Sequence, residues 1–222
     1  MLYIVATPIG NLEDITLRAI NTLKSVDLIF CEDTRETLKL LNYLDIKKPL
    51  VSYYKDNESK RLKKALQLLL DGKEVALVSD RGTPGISDPA YLLVREAYRY
   101  NIKVVPIPGS SALLAALSVS GLPSDRFSFY GFIPRKEGKK KEFFASLMEK
   151  EETLVFFESV HRVEGTLKML NTFFPEREMA ICRELTKKFE EIKVGKVSDI
   201  TREYMERENI KGEFVFIIKG RD

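Results

Sequence analysis

Residues 75–89 read VALVSDRGTPGISDP, and this stretch decides the fold. Its first residues form a short apolar run without polar alternation, which predicts a strand buried on both faces of a parallel sheet. The residues that follow are too rich in glycine, proline and small polar side chains to serve only as a connector. Because ligands bind beyond the carboxyl ends of strands in open α/β sheets, the stretch predicts a binding loop.

The same order of apolar run, turn and helical segment repeats from residue 2 to about residue 118. Predicted strands cover residues 2–6, 28–31, 50–53, 75–79 and 104–107. Residues 59–70 carry apolar side chains at helical spacing and are followed by Asp71-Gly72, which predicts a helix that ends at a glycine. This alternation places the first part of the chain in the α/β class, with helices on both faces of a parallel sheet.

Beyond Gly121-Leu122-Pro123 the pattern changes. Predicted strands cover residues 127–132, 154–157, 179–182, 189–194 and 214–218, and predicted helices lie near 142–148, 163–173 and 199–206. Glycine and proline mark the change, so we predict two domains, an α/β domain over residues 1–120 and a mixed α+β domain over residues 121–222.

Composition excludes several classes of protein. Lys and Arg number 36 against 33 Asp and Glu, and this balance says little about partners. No apolar run approaches the roughly 20 residues of a membrane span, and no secretory signal is readable, which predicts a cytoplasmic protein without a membrane partner. Cys31 and Cys182 lie in separate apolar segments and are predicted to be buried thiols. With His161 as the one histidine, no metal site is expected.

Four loops predicted at one edge of the first sheet are candidates for a ligand site: residues 7–11, 31–35, 79–89 and 106–112. Any one of them alone is better explained as an ordinary turn between strand and helix. Together they offer glycines, which let a ligand approach the main chain, and hydroxyls that cap helices. The chain has no dinucleotide or triphosphate loop motif and no nucleophile elbow, so the four loops predict a wide small-molecule site without covalent catalysis.

Residues 135–141 read RKEGKKK and hold five cations in seven residues, beside Phe132 and Phe143-Phe144. This pattern is typical of a surface that binds a phosphate backbone. A solvated linker between domains explains it equally well. Both interpretations stay open at this point.

Several motifs are quoted as they stand: residues 2–16 (LYIVATPIGNLEDIT), 32–35 (EDTR), 77–84 (LVSDRGTP), 121–127 (GLPSDRF), 131–134 (GFIP), 158–162 (ESVHR), 183–187 (RELTK) and 212–213 (GE). They closely resemble the branch of the tetrapyrrole methylase superfamily that methylates the 2′-oxygen of RNA ribose. The resemblance covers nearly the whole chain. One departure is Arg81, which stands where members of that family usually carry a small residue.

The resemblance implies a two-domain class III methyltransferase that uses S-adenosylmethionine and forms a homodimer. Its substrate would be a cytidine in the decoding region of 16S ribosomal RNA, presented within the small ribosomal subunit and converted to the 2′-O-methylated nucleotide. DNA is not an expected partner.

The resemblance also assigns roles to residues. Asp33, Glu158 or His161 would accept the proton of the ribose hydroxyl. The residues implied for the cofactor are Pro8, Gly10, Asp80, Gly82, Thr83, Gly109, Ser111, Ala112, Leu113, Phe157, Arg183 and Glu213. The residues implied for the substrate are Asn11, Arg18, Glu32, Arg35, Arg135, Arg162 and Lys187.

Alternatives remain for these residues and for the function. His161 fits equally a residue at the start of the helix predicted from Val163, and Glu32-Asp33 fit helix N-terminal charges. A member of the same superfamily that methylates a precorrin-type tetrapyrrole would show no activity on RNA. A non-catalytic RNA-binding assembly factor would bind RNA in a salt-sensitive way without turnover.

Overall fold

The computed structural model describes residues 1–221, which divide into two compact units, Met1–Ser111 and the part of the chain from Ala112 onward. None of the helices in the described residues is long and apolar enough to cross a membrane.

The first unit alternates strands and helices, as predicted. Its elements are β1 (Leu2–Val5), α1 (Leu17–Ser25), β2 (Leu28–Cys31), α2 (Thr34–Tyr43), β3 (Leu50–Ser52), α3 (Glu58–Leu70), β4 (Val75–Leu77), α4 (Tyr91–Arg99) and β5 (Val104–Ile107). The sheet has the order β3-β2-β4-β1-β5, and every pairing is parallel. Strand β4 ends two residues before its predicted end at residue 79, so Val78 and Ser79 already belong to the loop.

Apolar side chains cover both faces of this sheet, which confirms the predicted layers. One cluster gathers around Leu2, Phe30 and Leu77, and the other around Ile29, Cys31 and Ala76, which alternate with them along the same strands. Cys31 is a free, buried thiol, as predicted. Burial on both faces explains why the strands read as continuous apolar runs.

The second unit has a mixed sheet. Its elements are α5 (Ala112–Val119), β6 (Phe127–Phe132), α6 (Glu137–Ser146), β7 (Thr153–Ser159), α7 (Val163–Phe173), β8 (Glu178–Arg183), β9 (Glu191–Lys196), α8 (Val197–Met205) and β10 (Glu213–Ile218). The order is β6-β7-β10-β8-β9, in which β6 and β7 are parallel and the other neighbours antiparallel. The predicted α+β architecture is confirmed.

The units divide between Ser111 and Ala112, nine residues before the predicted boundary at 120/121. Helix α5 belongs with the second unit, where its Ala116 carbonyl lies 3.9 Å from the buried Cys182 sulfur. The Gly-Leu-Pro turn lies inside that unit as well, because the Thr153 hydroxyl donates to the Pro123 carbonyl at 2.6 Å. Glycine and proline mark a turn here rather than a domain boundary.

The linker interpretation of residues 135–141 is wrong. Helix α6 begins at Glu137, earlier than predicted, so most of the basic segment is helical. Lys140 is buried, while Lys139 and Lys141 are exposed. The segment is therefore part of the folded second unit.

Candidate active site

Four loops meet at the carboxyl edge of the first sheet, because the strands that precede them are neighbours in the order β2-β4-β1-β5. The loops after β1 and β4 are joined by reciprocal backbone hydrogen bonds between Thr7 and Gly82, of 2.9 and 3.0 Å. The buried Thr7 hydroxyl also donates to the Ser79 carbonyl at 3.1 Å. The contact between β1 and β4 thus extends into the loops that follow these two strands.

The loop after β5 is tied to the same assembly. The Thr83 hydroxyl donates to the Ser110 carbonyl at 3.1 Å, and the Ser110 hydroxyl donates to the Asp14 carbonyl at 3.3 Å. On the other side, the Asp33 amide donates to the Asp80 carboxylate at 2.9 Å, which joins the loops after β2 and β4. The four predicted loops therefore form one continuous, hydrogen-bonded edge.

Two glycines of this edge lie where a larger residue would crowd the chain at the end of β1 and in the loop that follows it. A Cβ on Gly109 would lie 3.0 Å from the Ala6 Cβ. Gly82 has a φ of +80°, and a Cβ there would lie 3.3 Å from Ile9 Cγ2. Glycine at these two points therefore lets the neighbouring loops pack closely against one another.

A group of carboxylates follows β2 and β4. Burial raises the pKa of Glu32, Asp80 and Asp88 above their usual ranges. Their mutual repulsion raises these pKa values further, with Asp80 acting on both Glu32 and Asp88 and Asp33 acting on Glu32 and Asp80. The edge thus concentrates negative charge, which a cationic or hydroxyl-bearing ligand would stabilise.

Asp33 behaves differently from the rest of this group. The side chain of Arg35 holds both Asp33 oxygens, at 2.6 to 3.2 Å, and lowers the Asp33 pKa to about 2. Asp33 is also the N-cap of α2 and accepts the Arg35 amide at 2.8 Å, which confirms the interpretation of this residue as a helix N-terminal charge. So low a pKa makes Asp33 a weak proton acceptor at neutral pH.

Asp88 was missed among the candidate residues. It stands in the loop already singled out, eight residues after Asp80, but its position beyond Gly85 and Ile86 gave no sign that the chain turns back. Gly85 has a φ of +85°. Burial raises the Asp88 pKa, and a hydrogen bond with the Ser79 side chain partly opposes this rise. A carboxyl late in a glycine-rich loop is the signal that would have found it.

The remaining predicted residues of the first unit lie around this edge with different exposure. Pro8 is buried and Gly10 is exposed. Asn11 caps a short 3₁₀ turn by accepting the Glu13 amide at 3.1 Å. Arg18 is exposed on α1 and makes no ion pair within residues 1–221, whereas Arg35 is engaged by Asp33.

A second group of predicted residues meets at one edge of the second sheet. Strand β7 ends there, β8 ends there and β10 begins there, since Phe214 lies opposite both Glu158 and Arg183. Phe157 is half-buried on β7, and Glu213 is the first residue of β10. The topology thus unites motifs that are up to 55 residues apart between Glu158 and Glu213.

Glu158 is buried and fully engaged at this edge. One carboxylate oxygen accepts the Ser159 amide at 2.8 Å and pairs with Arg162 at 2.5 Å. The other accepts the Thr166 hydroxyl at 2.6 Å, and that hydroxyl accepts Lys140 Nζ at 2.9 Å. A side chain with 0% exposure does not meet a substrate. The structure therefore differs from the prediction of a proton acceptor and makes Glu158 the anchor of Arg162.

Other predicted cations at this edge are also paired. Lys187 lies 2.8 Å from both Glu184 and Glu213. Arg183 pairs with Glu191 at 2.8 Å, and Glu191 also pairs with Arg207 at 2.6 Å. These charges serve the second unit itself, because each has a carboxylate partner within it.

The turn after β8 has an unusual backbone. Glu184 and Thr186 have φ values of +50° and +65° without being glycine. The Glu184 carboxylate holds the turn by accepting the Glu213 amide at 2.9 Å and Lys187 Nζ at 2.8 Å. Such strain persists where surrounding structure enforces it, often at functional sites. Glu184 was not among the candidate residues, although it stands inside a quoted motif.

Three groups of predicted residues remain to be placed. Ser111 ends the first unit, while Ala112 and Leu113 begin α5. His161 is exposed in a 3₁₀ turn over Val160–Arg162 that leads into α7, but Arg162 holds the N-cap position. Arg135 is exposed after β6.

The first edge fits S-adenosylmethionine chemically. That molecule has a positive sulfonium, an ammonium and a ribose diol, and Glu32, Asp80 and Asp88 offer the negative charge and hydrogen-bond acceptors that such groups prefer. Within residues 1–221 no group of His, Cys, Asp and Glu side chains is arranged to hold a metal ion.

Solved structures share the fold of this chain. Diphthine synthase has a TM-score of 0.71 at 14% identity, over 98% of this chain and 89% of its own. The methyltransferase CobJ has a TM-score of 0.70 at 19% identity, over 99% of this chain and 93% of its own. At such low identity the likeness shows the fold alone.

The fold and the glycine-lined, acidic edge define a methyltransferase of the class III type. A model of the tetrapyrrole (corrin/porphyrin) methylases matches residues 1–201, and the chain belongs to this family. The family uses S-adenosylmethionine, which confirms the predicted cofactor.

Curated relatives are similar over the whole chain. The "Ribosomal RNA small subunit methyltransferase I" of Thermotoga maritima is 47% identical over 100% of this chain and 99% of its own length. The protein of the same name from Bacillus subtilis is 44% identical over 99% of this chain and 75% of its own length. The predicted resemblance is thereby confirmed.

Proposed function

We propose that this protein transfers the methyl group of S-adenosylmethionine to the ribose 2′-oxygen of a cytidine in the decoding region of 16S ribosomal RNA. The observation that carries the proposal is identity of 44 to 47% over nearly the full chain to proteins named as methyltransferases of small subunit ribosomal RNA. A solved structure of the same fold, the uroporphyrin-III-C-methyltransferase from Thermus thermophilus, is only 20% identical to this chain.

We further propose that the substrate is presented within the small ribosomal subunit, that the protein acts as a homodimer and that it works in the cytoplasm. The proposed methyl transfer needs neither a metal nor a covalent enzyme intermediate. S-adenosylmethionine supplies a methyl group on a positive sulfur, which is already activated for transfer. The chain has to hold the ribose oxygen in line, about 3 Å from that carbon, and to accept the hydroxyl proton.

The cofactor is assigned to the first edge. Asp80, with Glu32 and Asp88 beside it, would face its cationic or hydroxyl groups, and the main chain at Gly82 and Gly109 would line it. The other proposed cofactor residues are Pro8, Gly10, Thr83, Ser111, Ala112, Leu113, Phe157, Arg183 and Glu213. Arg183 would act through its pair with Glu191, since that carboxylate already holds its guanidinium.

The proton acceptor is assigned to His161. Asp33 is held by Arg35 at a pKa of about 2, and Glu158 is buried among Ser159, Thr166 and Arg162. His161 is exposed, makes no hydrogen bond within residues 1–221, and carries an imidazole, the commonest proton acceptor in enzymes. Asp33 then orients Arg35, and Glu158 orients Arg162, for contact with RNA phosphates. Asn11, Arg18, Arg135 and Lys187 complete the proposed substrate contacts.

The test is methyl transfer from labelled S-adenosylmethionine to purified small subunits that lack the modification, followed by mass mapping of the labelled nucleotide. One 2′-O-methylcytidine in the decoding region is the expected result. Cofactor binding without label in subunits or free RNA would point to a tetrapyrrole substrate. Absence of cofactor binding as well would point to a non-catalytic RNA-binding factor.

The assigned roles are tested on His161→Ala, Asp33→Ala and Glu158→Ala. We expect His161→Ala to lower turnover about 100-fold or more, and the other two to lower methylation, all with cofactor affinity within a few-fold. Glu164→Ala changes an exposed residue near His161 on α7 and is the matched control. Unchanged turnover in His161→Ala would contradict the assignment of the proton acceptor. Unchanged methylation in both other variants would contradict the orienting roles of Asp33 and Glu158.

A further inference from the structure

Several cations of the second unit form ion pairs with carboxylates, but a group of neighbouring cations does not. Lys193 pairs with Glu203 at 2.6 Å and Lys196 with Glu176 at 2.8 Å, although all four side chains are substantially exposed. By contrast, four exposed cations at the start of α6 or just before it form no ion pair within residues 1–221. These are Arg135, Lys136, Lys139 and Lys141. Their like charges repel one another, and no ion pair within the described residues offsets this repulsion.

Helix stability does not explain this group. Cations are unfavourable at the positive end of a helix dipole, and Lys136 is the N-cap of α6 without a side-chain capping bond. Glu137 is the one acidic residue in the first turn. The arrangement therefore lowers the stability of α6 and calls for another explanation.

An exposed aromatic residue, Phe132, lies three residues before the first of these cations in the sequence. Pairing between β6 and β7 runs from Phe129 opposite Val155 to Phe132 opposite Phe157, so β6 holds one extra residue. This bulge contains Gly131, with a φ of +65°. Phe132 keeps 57% of its surface exposed, and its ring meets Phe157 edge-on at 5.7 Å. Bulges commonly re-aim a side chain beside a functional site.

Hydrogen bonds hold this segment against neighbouring elements of the second unit. Lys140, from the middle of the basic segment, turns inward and donates to Thr166 of α7 at 2.9 Å. Arg162 Nη1 donates to the Ile133 carbonyl at 2.8 Å, which ties the segment after β6 to the end of β7. The exposed cations and Phe132 are thus carried by a preformed support.

We propose that Phe132, Arg135, Lys136, Lys139 and Lys141 form a basic-aromatic surface that binds a single-stranded segment of the RNA substrate. The cations contact phosphates and the Phe132 ring stacks on a base. Stacking on an aromatic side chain beside a positive groove is the usual way to hold unpaired nucleotides, because every base has a π face. The inference rests on the proposed function, since it takes RNA as the substrate.

The cations are tested by the variant Arg135→Gln/Lys136→Gln/Lys139→Gln/Lys141→Gln. RNA affinity and methyl transfer are measured on small subunits and on a single-stranded decoding-region oligonucleotide over a salt series. We expect an affinity loss of about tenfold or more, a higher KM and a kcat within about twofold. The slope of log affinity against log salt should fall by about two to three, since each phosphate contact on a single strand contributes about 0.7.

The matched control for charge is Lys60→Gln/Arg61→Gln/Lys63→Gln/Lys64→Gln on α3, which removes four cations from the first unit. An equal loss of affinity and salt slope in this control would overturn the proposal, because attraction would then follow total charge. Thermal unfolding of the α6 variant should occur at an equal or higher temperature than in the unaltered chain, since the dipole no longer opposes cations.

The stacking contact is tested by Phe132→Leu, with Tyr98→Leu on α4 as control because Tyr98 is 63% exposed. We expect at least about a fivefold loss of oligonucleotide affinity for Phe132→Leu, with the salt slope unchanged, and no loss for Tyr98→Leu. Unchanged affinity in both the Phe132 and the α6 variants, while the unaltered chain methylates RNA, overturns this inference alone. An unaltered chain that neither binds nor methylates RNA overturns the proposed function with it. Binding of an acidic peptide instead of RNA would assign the surface to a protein partner.

Discussion

The two sheet edges handle charge in opposite ways. In the first unit, burial and then repulsion from neighbouring carboxylates raise the pKa values of Glu32, Asp80 and Asp88. In the second unit, Glu158 is held by Arg162 and Thr166, and Glu191 is shared by two arginines that lower its pKa to about 2. The first edge therefore gathers negative charge, whereas carboxylates and arginines at the second edge neutralise each other.

This difference indicates what each edge is built to do. Repulsion that a fold retains lowers its stability and is relieved when a ligand of opposite charge binds. Charges that are paired and hydrogen-bonded hold neighbouring elements in one arrangement. The comparison predicts that neutralising a carboxylate of the first edge raises the stability of the protein, and that neutralising Glu158 or Glu191 at the second edge lowers it.

The largest effect is expected for Glu158→Ala. It leaves Arg162 and the buried Lys140 without their carboxylate, and breaking a buried pair costs about 3 to 5 kcal/mol of unfolding free energy. Denaturant unfolding measures this loss. The control is Glu176→Ala, which removes an exposed partner of Lys196 and should cost at most about 1 kcal/mol. Equal costs in the two variants would show that the second edge is no better anchored than an ordinary surface pair.

The next effect is expected for Glu191→Gln, at about 1 to 3 kcal/mol at neutral pH, because Arg183 and Arg207 lose a shared charged acceptor. Glu191 has a lowered pKa, so its stabilising contribution is present above the usual range of a glutamate and is lost as pH falls toward 2. Stability measured from pH 6 to pH 2 should therefore fall more steeply in the unaltered chain than in the variant. Parallel curves would remove Glu191 from the comparison.

Asp80→Asn is expected to change the first edge in the opposite direction. Burial and neighbouring carboxylates raise the Asp80 pKa, so its charge lowers stability at neutral pH and its removal should raise the melting temperature by about 1 to 4 °C. Affinity for S-adenosylmethionine should fall about tenfold, measured by titration calorimetry.

Asp27→Asn is the matched control in the same unit. The Glu74 amide at 2.8 Å and Lys73 lower the Asp27 pKa, so this variant should lower the melting temperature and leave cofactor affinity unchanged. A lower melting temperature in Asp80→Asn as well would contradict the view that the first edge retains repulsion.

The smallest effect on stability is expected for Arg35→Gln. Both partners of its pair with Asp33 are accessible to solvent, so the melting temperature should stay within about 1 °C. The Asp33 pKa should rise from about 2 toward the usual range of an aspartate, as followed by carboxyl NMR titration. Arg99→Gln, which removes a partner of Glu96, should leave the Asp33 titration as it was. A constant Asp33 pKa in Arg35→Gln would show that the helix amides alone hold its charge.

Most elements could be predicted from the sequence because each is a local pattern. Strands β2, β5 and β6 and helix α7 have their predicted bounds, since each strand is a short run rich in apolar or aromatic residues and α7 places apolar residues at helical spacing. Helix α6 was placed too late, because its first turn is made of lysines and a glycine and shows no apolar stripe.

The candidate site was predicted as a set of loops, but the state of its side chains was not. Arg35, Arg162, Arg183 and Lys187 were all assigned to ligands, and each has an acidic partner within its own unit. No rule of sequence spacing predicts that Glu191 forms an ion pair with Arg183. Such pairs depend on which strands become neighbours.

The sequence by itself determined the two-part organisation, the strands, the glycine-rich loops and the membership of a methylase family, because these depend on residues close together in the chain. Tertiary structure decided the division after Ser111, the inward turn of Lys140, the burial of Glu158 and the accumulation of Glu32, Asp80 and Asp88 at one edge. The reason is physical: burial and Coulomb interaction depend on distance in space, and the sheet order brings together charges that lie far apart along the chain.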